Sequence, residues 1–203
     1  MTGTPTGPQP VDWPEYAAPV DLDKAYRLLN HGPTVLVSSA HGGEINVMAA
    51  AWSMPLDFKP AKVVVVIDKA THTRELVDAS GQFALNVPAY ALAATTLGVG
   101  TDSAKTVPDK LQRHGIKSFH APGSDLPLVQ GCVGWLLCKV VPEPHNHQAY
   151  DLYIGEVTAA WADSRVFVEG RWQFDKAPAA LRTLHYVAGG QFFVIGESLK
   201  IDL

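Results

Sequence analysis

The sequence predicts a mainly β fold, a barrel or sandwich carrying a few short helices, on three observations. Segments rich in Val, Ile, Leu and Phe recur from Thr34 to Glu197. Turn residues punctuate them at short intervals, and no regular β-α-β alternation joins them. The last point disfavours a parallel doubly wound sheet. At 203 residues, 47% hydrophobic and 18% charged, the chain can bury a core and lies far from disordered compositions. The expected organisation is a flexible tail over residues 1–20 and one domain over residues 21–203. The tail opens with ten residues that are mostly Thr, Gly and Pro, and neither a repeat nor a low-complexity stretch follows.

Taken in order, residues 21–30 predict a short amphipathic helix. Asp21 suits its N-cap, Leu22, Ala25, Tyr26 and Leu29 form one apolar stripe, and Gly32-Pro33 stops it. Thr34 to Ala40 and Val47 to Ser53 are predicted strands joined by a hairpin at His41-Gly42-Gly43-Glu44. Met54 to Pro60 is predicted as a loop, with Pro at both its second and last positions. Lys62 to Asp68 contains four successive valines and predicts a strand buried on both faces. Thr71 to Gly81 predicts a helix with Thr at its mouth and Gly at its end. A strand follows from Phe83 to Pro88. Ala91–Leu97 and Pro108–His114 predict short helices around a polar loop, Gly98 to Val107. Gly134–Val141, Leu152–Trp161, Arg165–Phe174 and Gln191–Glu197 complete the β segments.

Several function classes are excluded at this stage. Twenty acidic against 16 basic residues leave a net charge of −4, so no chain-wide basic field attracts nucleic acid or an anionic membrane. No apolar run, Val63 to Ile67 included, approaches the ~18 residues that a membrane span needs. The N-terminus lacks the positive and apolar regions of a secretory signal. Cys132 and Cys138 lie on one predicted strand, where six steps of ~3.3 Å hold their Cα atoms about 20 Å apart, beyond disulfide reach. Two buried thiols without a disulfide framework fit a reducing compartment, so a cytoplasmic location is expected. Dinucleotide, P-loop, Cys-x-x-Cys, zincin and Gly-x-Ser-x-Gly motifs are absent. His145-Asn146-His147 places two imidazoles on one face of an extended segment. No third ligand stands at a telling spacing, so a solvated loop is expected there and no metal site.

Two segments carry chemistry. In Asn46-Val-Met-Ala-Ala-Ala-Trp-Ser-Met-Pro55, three successive alanines on a strand leave the backbone uncovered, and a flat ring fits against such a wall. A strand packed tightly against a helix uses the same residues. In Asp68-Lys69-Ala70-Thr71-His72-Thr73-Arg74, hydroxyls and cationic groups gather at a helix mouth, where free N–H groups and the dipole favour a phosphate. Plain capping by Thr71 or Thr73, with Lys69 and Arg74 in solvent, is the alternative.

These segments, with Thr71-His-Thr-Arg-Glu-Leu-Val77, Gly81-Gln-Phe-Ala-Leu-Asn-Val-Pro88, Tyr153-Ile-Gly-Glu-Val157 and Leu184-His-Tyr-Val-Ala-Gly-Gly190, together resemble the flavin reductase family with the FMN-binding split-barrel fold. The resemblance runs from about Ala25 to Glu197. It implies a six-stranded Greek-key split barrel, homodimeric, with FMN (FAD being allowed) near the dimer interface. By position, Asn46, Met48, Ala49, Ala50, Ala51 and Trp52 would contact the flavin ring, and Ser53 the ribityl chain or phosphate. Lys69, Thr71, His72 and Thr73 match the phosphate turn, and Asn86 a position near the cofactor. The family's Ser-Gly-Arg-Asp-like run stands here as Thr101 to Lys110, a departure that leaves this loop without an assigned role. The implied activity is hydride transfer from NAD(P)H to FMN, with His185 as the candidate to steady the nicotinamide. A flavin-accepting or redox partner protein, such as a monooxygenase, would use the product. An FMN-binding electron carrier that makes little use of NAD(P)H is the alternative.

Overall fold

The computed structural model describes residues 9–201. The expectation of a loose tail over residues 1–8 lies outside the described residues, whereas residues 9–20 are held. Strand β1 (Gln9–Pro10) pairs with Lys117 and Ser118. Trp13 packs edge-on against Phe119 and Trp161. Strand β2 (Ala17–Pro19) adds to the main sheet beside Trp161–Asp163. Aromatic contacts and strand pairing tie this segment down although its composition reads as linker.

The first predicted helix is shorter than its stripe. Helix α1 (Leu22–Ala25) gives way to a 3-10 turn at Tyr26–Leu28, and Asp21 spends its carboxylate on Lys24 Nζ rather than on a cap. Strands β3 (Val35–His41) and β4 (Glu44–Ala50) form the expected hairpin, with His41 opposite Glu44. The predicted loop after Trp52 is instead strand β5 (Ser53–Phe58), paired with β6 (Ala61–Val66). Pro55 is tolerated because β5 lies at the end of the sheet and the ladder is irregular between Pro55 and Asp57. Helix α2 (His72–Ser80) follows, with Thr71 Oγ1 accepting from the Arg74 N–H and Gly81 closing it at φ 68°.

Strand β7 (Gln82–Pro88) leads to helix α3 (Ala93–Thr101), which runs through Gly98 and Gly100, where a loop was expected. Helix α4 (Lys110–Arg113) and the short strands β8 (Lys117–Phe119) and β9 (Leu128–Val129) lie beyond. Strand β10 (Cys132–Val141) reaches α5 (Pro144–Tyr150), so the two-histidine segment is helical, not extended. Strand β11 (Leu152–Asp163) and three short hairpin strands follow, β12 (Phe167–Val168), β13 (Arg171–Trp172) and β14 (Leu184–Ala188). The last, β15 (Gln191–Val194), pairs with β14. Gly189 and Gly190 turn the β14–β15 hairpin at φ 57° and 80°, as a two-residue turn of this hand requires.

The main sheet is antiparallel, ordered β4-β3-β7-β10-β11-β6-β5 with β2 beside β11. It differs from the expected six-stranded split barrel in its strand count and keeps an open seam. There are more strands, and the ladder leaves its two end strands, β4 and β5, unpaired with each other. The chain itself bridges that seam through Ala51 and Trp52.

Period-two alternation sorts the strand residues between two cores. Val35, Val37, Phe83, Leu85, Val87, Leu136 and Cys138 face the interior of the curled sheet. Their neighbours Leu36, Ala84, Trp135 and Leu137 face an outer core closed by Val99, Leu111, Ile116, Phe119 and Leu128. Double-sided burial thus belongs to β3, β7 and β10. On β6 it alternates instead, with Val63 and Val65 buried and Val64 and Val66 half-buried. Both cysteines are free and buried, and burial raises both thiols well above their ordinary pKa. No helix among the described residues is long and apolar enough to cross a membrane.

The glycine of the Ile-Gly-Glu-Val strand has a steric reason. A Cβ on Gly155 would stand 2.5 Å from Phe83 Cζ and 2.9 Å from Cys138 Cβ, and Phe83 is fully buried. Gly155→Ala is expected to cost about 1–3 kcal/mol by overpacking, lowering the melting temperature by roughly 2–12 °C for a domain of this size. A thermal melt that matches the parent would show that this ring is free to move.

Candidate active site

The seam between β4 and β5 opens into a cleft of about 560 Å³. Met48, Ala49, Ala50, Ala51 and Trp52 form one wall, with Val66 and Asp68 beyond them. Thr96, Leu97, Gly100 and Thr101 of α3 stand opposite, and Thr34, Tyr186, Val187 and Phe192 complete the rim. The alanine wall is both things that the sequence allowed. Helix α3 packs so closely on β4 that a Cβ on Gly100 would lie 3.0 Å from the Ala49 methyl, yet the same small residues leave open space above Ala51.

A smaller pocket of about 100 Å³ adjoins it. Asn46, Met48, Ala49, Thr71, His72 and Thr73 line one side, and residues 99–104 with Lys110 line the other. Met48, Ala49, Gly100 and Thr101 belong to both spaces, so they connect. At the helix mouth, Thr73 is fully buried, and its Oγ1 accepts from Asn46 Nδ2 at 2.9 Å, which leaves the hydroxyl proton for another acceptor. His72 Nδ1 meets Glu75 Oε2 at 2.9 Å, and Nε2 lies 3.4 Å from Glu44 Oε2. Asn46 Oδ1, Ser53 Oγ and Thr96 Oγ1 are buried without a hydrogen-bond partner, although buried polar atoms are nearly always satisfied.

Five expected contributors stand elsewhere, the first being Ser53 at the start of β5, which lines neither space. Lys69 is exposed on the turn and lines neither space. Arg74 is buried and points away from the helix mouth: Nε donates to Asp78, one terminal nitrogen to Ile67 O and Asp151, the other to His147 O. Its guanidinium also lies over the Tyr153 ring, so it braces α2 against α5 and β11. Asn86 is consumed by the fold. Its Nδ2 donates to Leu36 O and Ser38 Oγ, and its Oδ1 accepts from the Val129 N–H. His185 also misses the cleft. Its Nδ1 engages Gly32 O at 3.0 Å, and its ring packs edge-on against His31, while the irregularity between Tyr186 and Ala188 accompanies Tyr186 and Val187 at the rim.

Gly100 and Thr101 escape a sequence reading that ends this helix before Gly98, whereas Thr96 and Lys110 lie on the two expected helices and only the packing of α3 and α4 brings them to the site. Small residues at the 96–100 spacing are the one signal of close approach that was there to find.

The sequence matches the flavin reductase like domain family over residues 27–190, most of the chain. The protein belongs to that family. Among solved structures, an FMN-binding domain of a flavin reductase-like enzyme from Shewanella baltica OS155 is 54% identical, covers 92% of this chain and 97% of its own, and superposes with a TM-score of 0.90. An uncharacterised protein, YddH, of Escherichia coli (strain K12) is 44% identical over 182 residues, 88% of this chain and 95% of that one. The flavoredoxin of Desulfovibrio vulgaris (Miyazaki F) shares the fold at 21% identity, with a TM-score of 0.72 over 84% of this chain and 90% of its own. The flavin reductase-like domain therefore accounts for the architecture.

Proposed function

We propose that this flavin reductase-like protein is an oxidoreductase that holds FMN in the seam cleft and passes to it a hydride from NAD(P)H. The observation that carries this reading is the junction of two spaces of opposite character. A broad slot walled by Ala49–Ala51 suits a planar ring, and a small polar pocket at the start of α2 suits its phosphate. Two of the buried polar atoms without partners line these spaces, Thr96 Oγ1 the slot and Asn46 Oδ1 the polar pocket. Asn46 Oδ1 would accept from a ribityl hydroxyl of a bound flavin, and Thr96 Oγ1 would serve the ring edge or chain. The name of the Shewanella relative supports FMN as the ligand.

A bound flavin supplies the hydride acceptor, so the protein needs no nucleophile of its own. The chain's residues orient and exclude. The alanine wall and Gly100 fix the ring plane, Thr73 and the first turn of α2 hold the phosphate, and Tyr186, Val187 and Phe192 narrow the open face. Held face to face, the two rings gain part of the ~7–11 kcal/mol available to ideal proximity.

A second copy of the chain is the partner this reading implies. Trp52 before the end strand and Met54, Leu56 and Phe58 on it are 73%, 53%, 47% and 63% exposed, an apolar row beside the cleft of the kind that marks an interface. The product flavin, or its electrons, would pass to a separate acceptor protein. One observation favours a second reading, an electron carrier without efficient NAD(P)H use: His185 is turned away from the cleft, leaving no basic side chain of the β14–β15 hairpin over the ring.

One anaerobic titration separates them. The purified protein reconstituted with FMN is expected to show flavin absorbance bands that bleach within seconds of adding NADH or NADPH. Bands that persist until dithionite is added would replace the reductase by the carrier, and failure to take up FMN would remove both.

A further inference from the structure

The hairpin of β14 and β15 is anchored at one end. Its two strands pair with each other and with no strand of the main sheet, and a lone two-stranded hairpin is marginally stable at best. The base is firmly held. Thr183 and Leu184 are fully buried, and Thr183 bridges to Ala89. The Thr34 N–H donates to Leu184 O at 2.8 Å, His185 Nδ1 engages Gly32 O at 3.0 Å, and the Tyr186 N–H donates to Thr34 Oγ1 at 2.7 Å. Beyond Tyr186 this anchoring stops. Among the described residues, none of residues 187–194 hydrogen-bonds to the main sheet or to α3.

The last anchor coincides with a break in the ladder. Tyr186 lies opposite Phe192 and Ala188 opposite Gln191, so Val187 is an extra residue bulged out of the pairing, an irregularity of the kind that bends a strand. Past it the hairpin spans the mouth of the cleft, from the start of β3 to α3. The tip meets α3 at Leu97, where a Cβ on Gly190 would lie 3.5 Å from Leu97 Cδ2. Tyr186, Val187 and Phe192 line the cleft, yet Tyr186 and Val187 are 39% and 50% exposed. Exposed apolar groups over an open slot gain contact when a flat ring fills it. A segment with few bonds and much exposed surface also opens at little free-energy cost.

We propose that the β14–β15 hairpin is a flap that swings about the Val187 bulge to admit a planar ligand and then closes on its face, with Thr34 as the latch at its base. Thr34 is a positioning residue here, since it acts through the Tyr186 N–H. The inference rests on the flavin-binding reading above and adds to it the step that opens and shuts the site.

The test is hydrogen–deuterium exchange of the parent with and without saturating FMN, followed by FMN dissociation from Thr34→Val and Thr34→Ser. In the free protein, the amides of residues 187–194 are expected to exchange at least about tenfold faster than those of β7. FMN should slow them about tenfold, with no change in the β12–β13 hairpin, which lines neither space. Residues 187–194 as slow as β7 in the free protein, or unchanged on FMN uptake, overturn the flap and leave the flavin reading standing. Valine keeps the size of Thr34 but removes the acceptor of the Tyr186 N–H, so FMN is expected to leave that variant about tenfold faster than the parent. Serine keeps the hydroxyl and should restore the parental rate. A folded valine variant with parental dissociation, or a serine variant as fast as the valine one, overturns the latch. A valine variant that does not fold leaves the decision to the exchange of the parent. A parent that takes up no FMN overturns the flavin reading and this proposal together.

Discussion

Ala51→Leu is expected to weaken FMN binding about a hundredfold or more while leaving the melting temperature unchanged. Ala51 is exposed and sits at the crossing from β4 to β5, in the wall of the seam cleft. A leucine there projects three extra carbons into the slot where a flavin ring would lie, and a rigid ring has no means of yielding. At 1.4 kcal/mol per tenfold, a hundredfold loss corresponds to about 3 kcal/mol, the scale of one displaced apolar contact face. The choice of position matters. Ala50 belongs to the inner core at 8% exposure, so enlarging it would mix overpacking with ligand exclusion. Fluorescence titration with FMN checks the result, and a variant with parental affinity would place the ring elsewhere.

Acid is expected to destabilise the fold through His31. Burial, reinforced by the nearby His185, lowers the His31 pKa to about 4. Its ring is packed edge-on against Trp172 and His185, with Nε2 2.9 Å from Thr183 Oγ1. A histidine whose pKa is depressed on folding binds more protons in the unfolded chain. Its contribution is therefore fully present above the ordinary value near 6.5 and is lost as pH falls through about 4. The shift corresponds to about 3 kcal/mol at its limit. Urea unfolding at pH 7 and pH 4.5 should show the loss, and His31→Gln should remove much of the pH slope even if it lowers stability at pH 7. A variant that keeps the full slope would assign acid sensitivity to the carboxylates instead.

Much of the fold was legible because its signals are local. The valine strand β6, the glycine turn between β3 and β4, and Thr71 with Gly81 around α2 depend on neighbours within a few residues, and the structure has these elements where expected, although β6 is buried on one face only. What was misread depended on distant partners. Met54 to Phe58 carries loop residues, yet it is a strand because β6 offers a free edge. Residues 9–20 look like linker, yet Trp13 is clamped by Phe119 and Trp161.

The site divides in the same way. Ala49–Ala51 and Thr73 could be named from the sequence because small size and a helix-mouth hydroxyl are properties of the residue itself. The opposite wall could not. Arg74 and Lys110 are both cations close to a helix end, and nothing in their own segments shows that one is consumed by Asp78 and Asp151 while the other is buried without a carboxylate partner. Asn86 and His185 likewise have the right chemistry and stand near the right strands, but their hydrogen bonds go to the framework. By itself the sequence determined the strand pattern, the small-residue wall and the capped start of α2, since periodicity, side-chain volume and local hydrogen bonding act over a few residues. Only the tertiary structure decided which polar groups face the cleft and which charge is left uncompensated, because those outcomes depend on partners brought in by long-range strand pairing and helix packing.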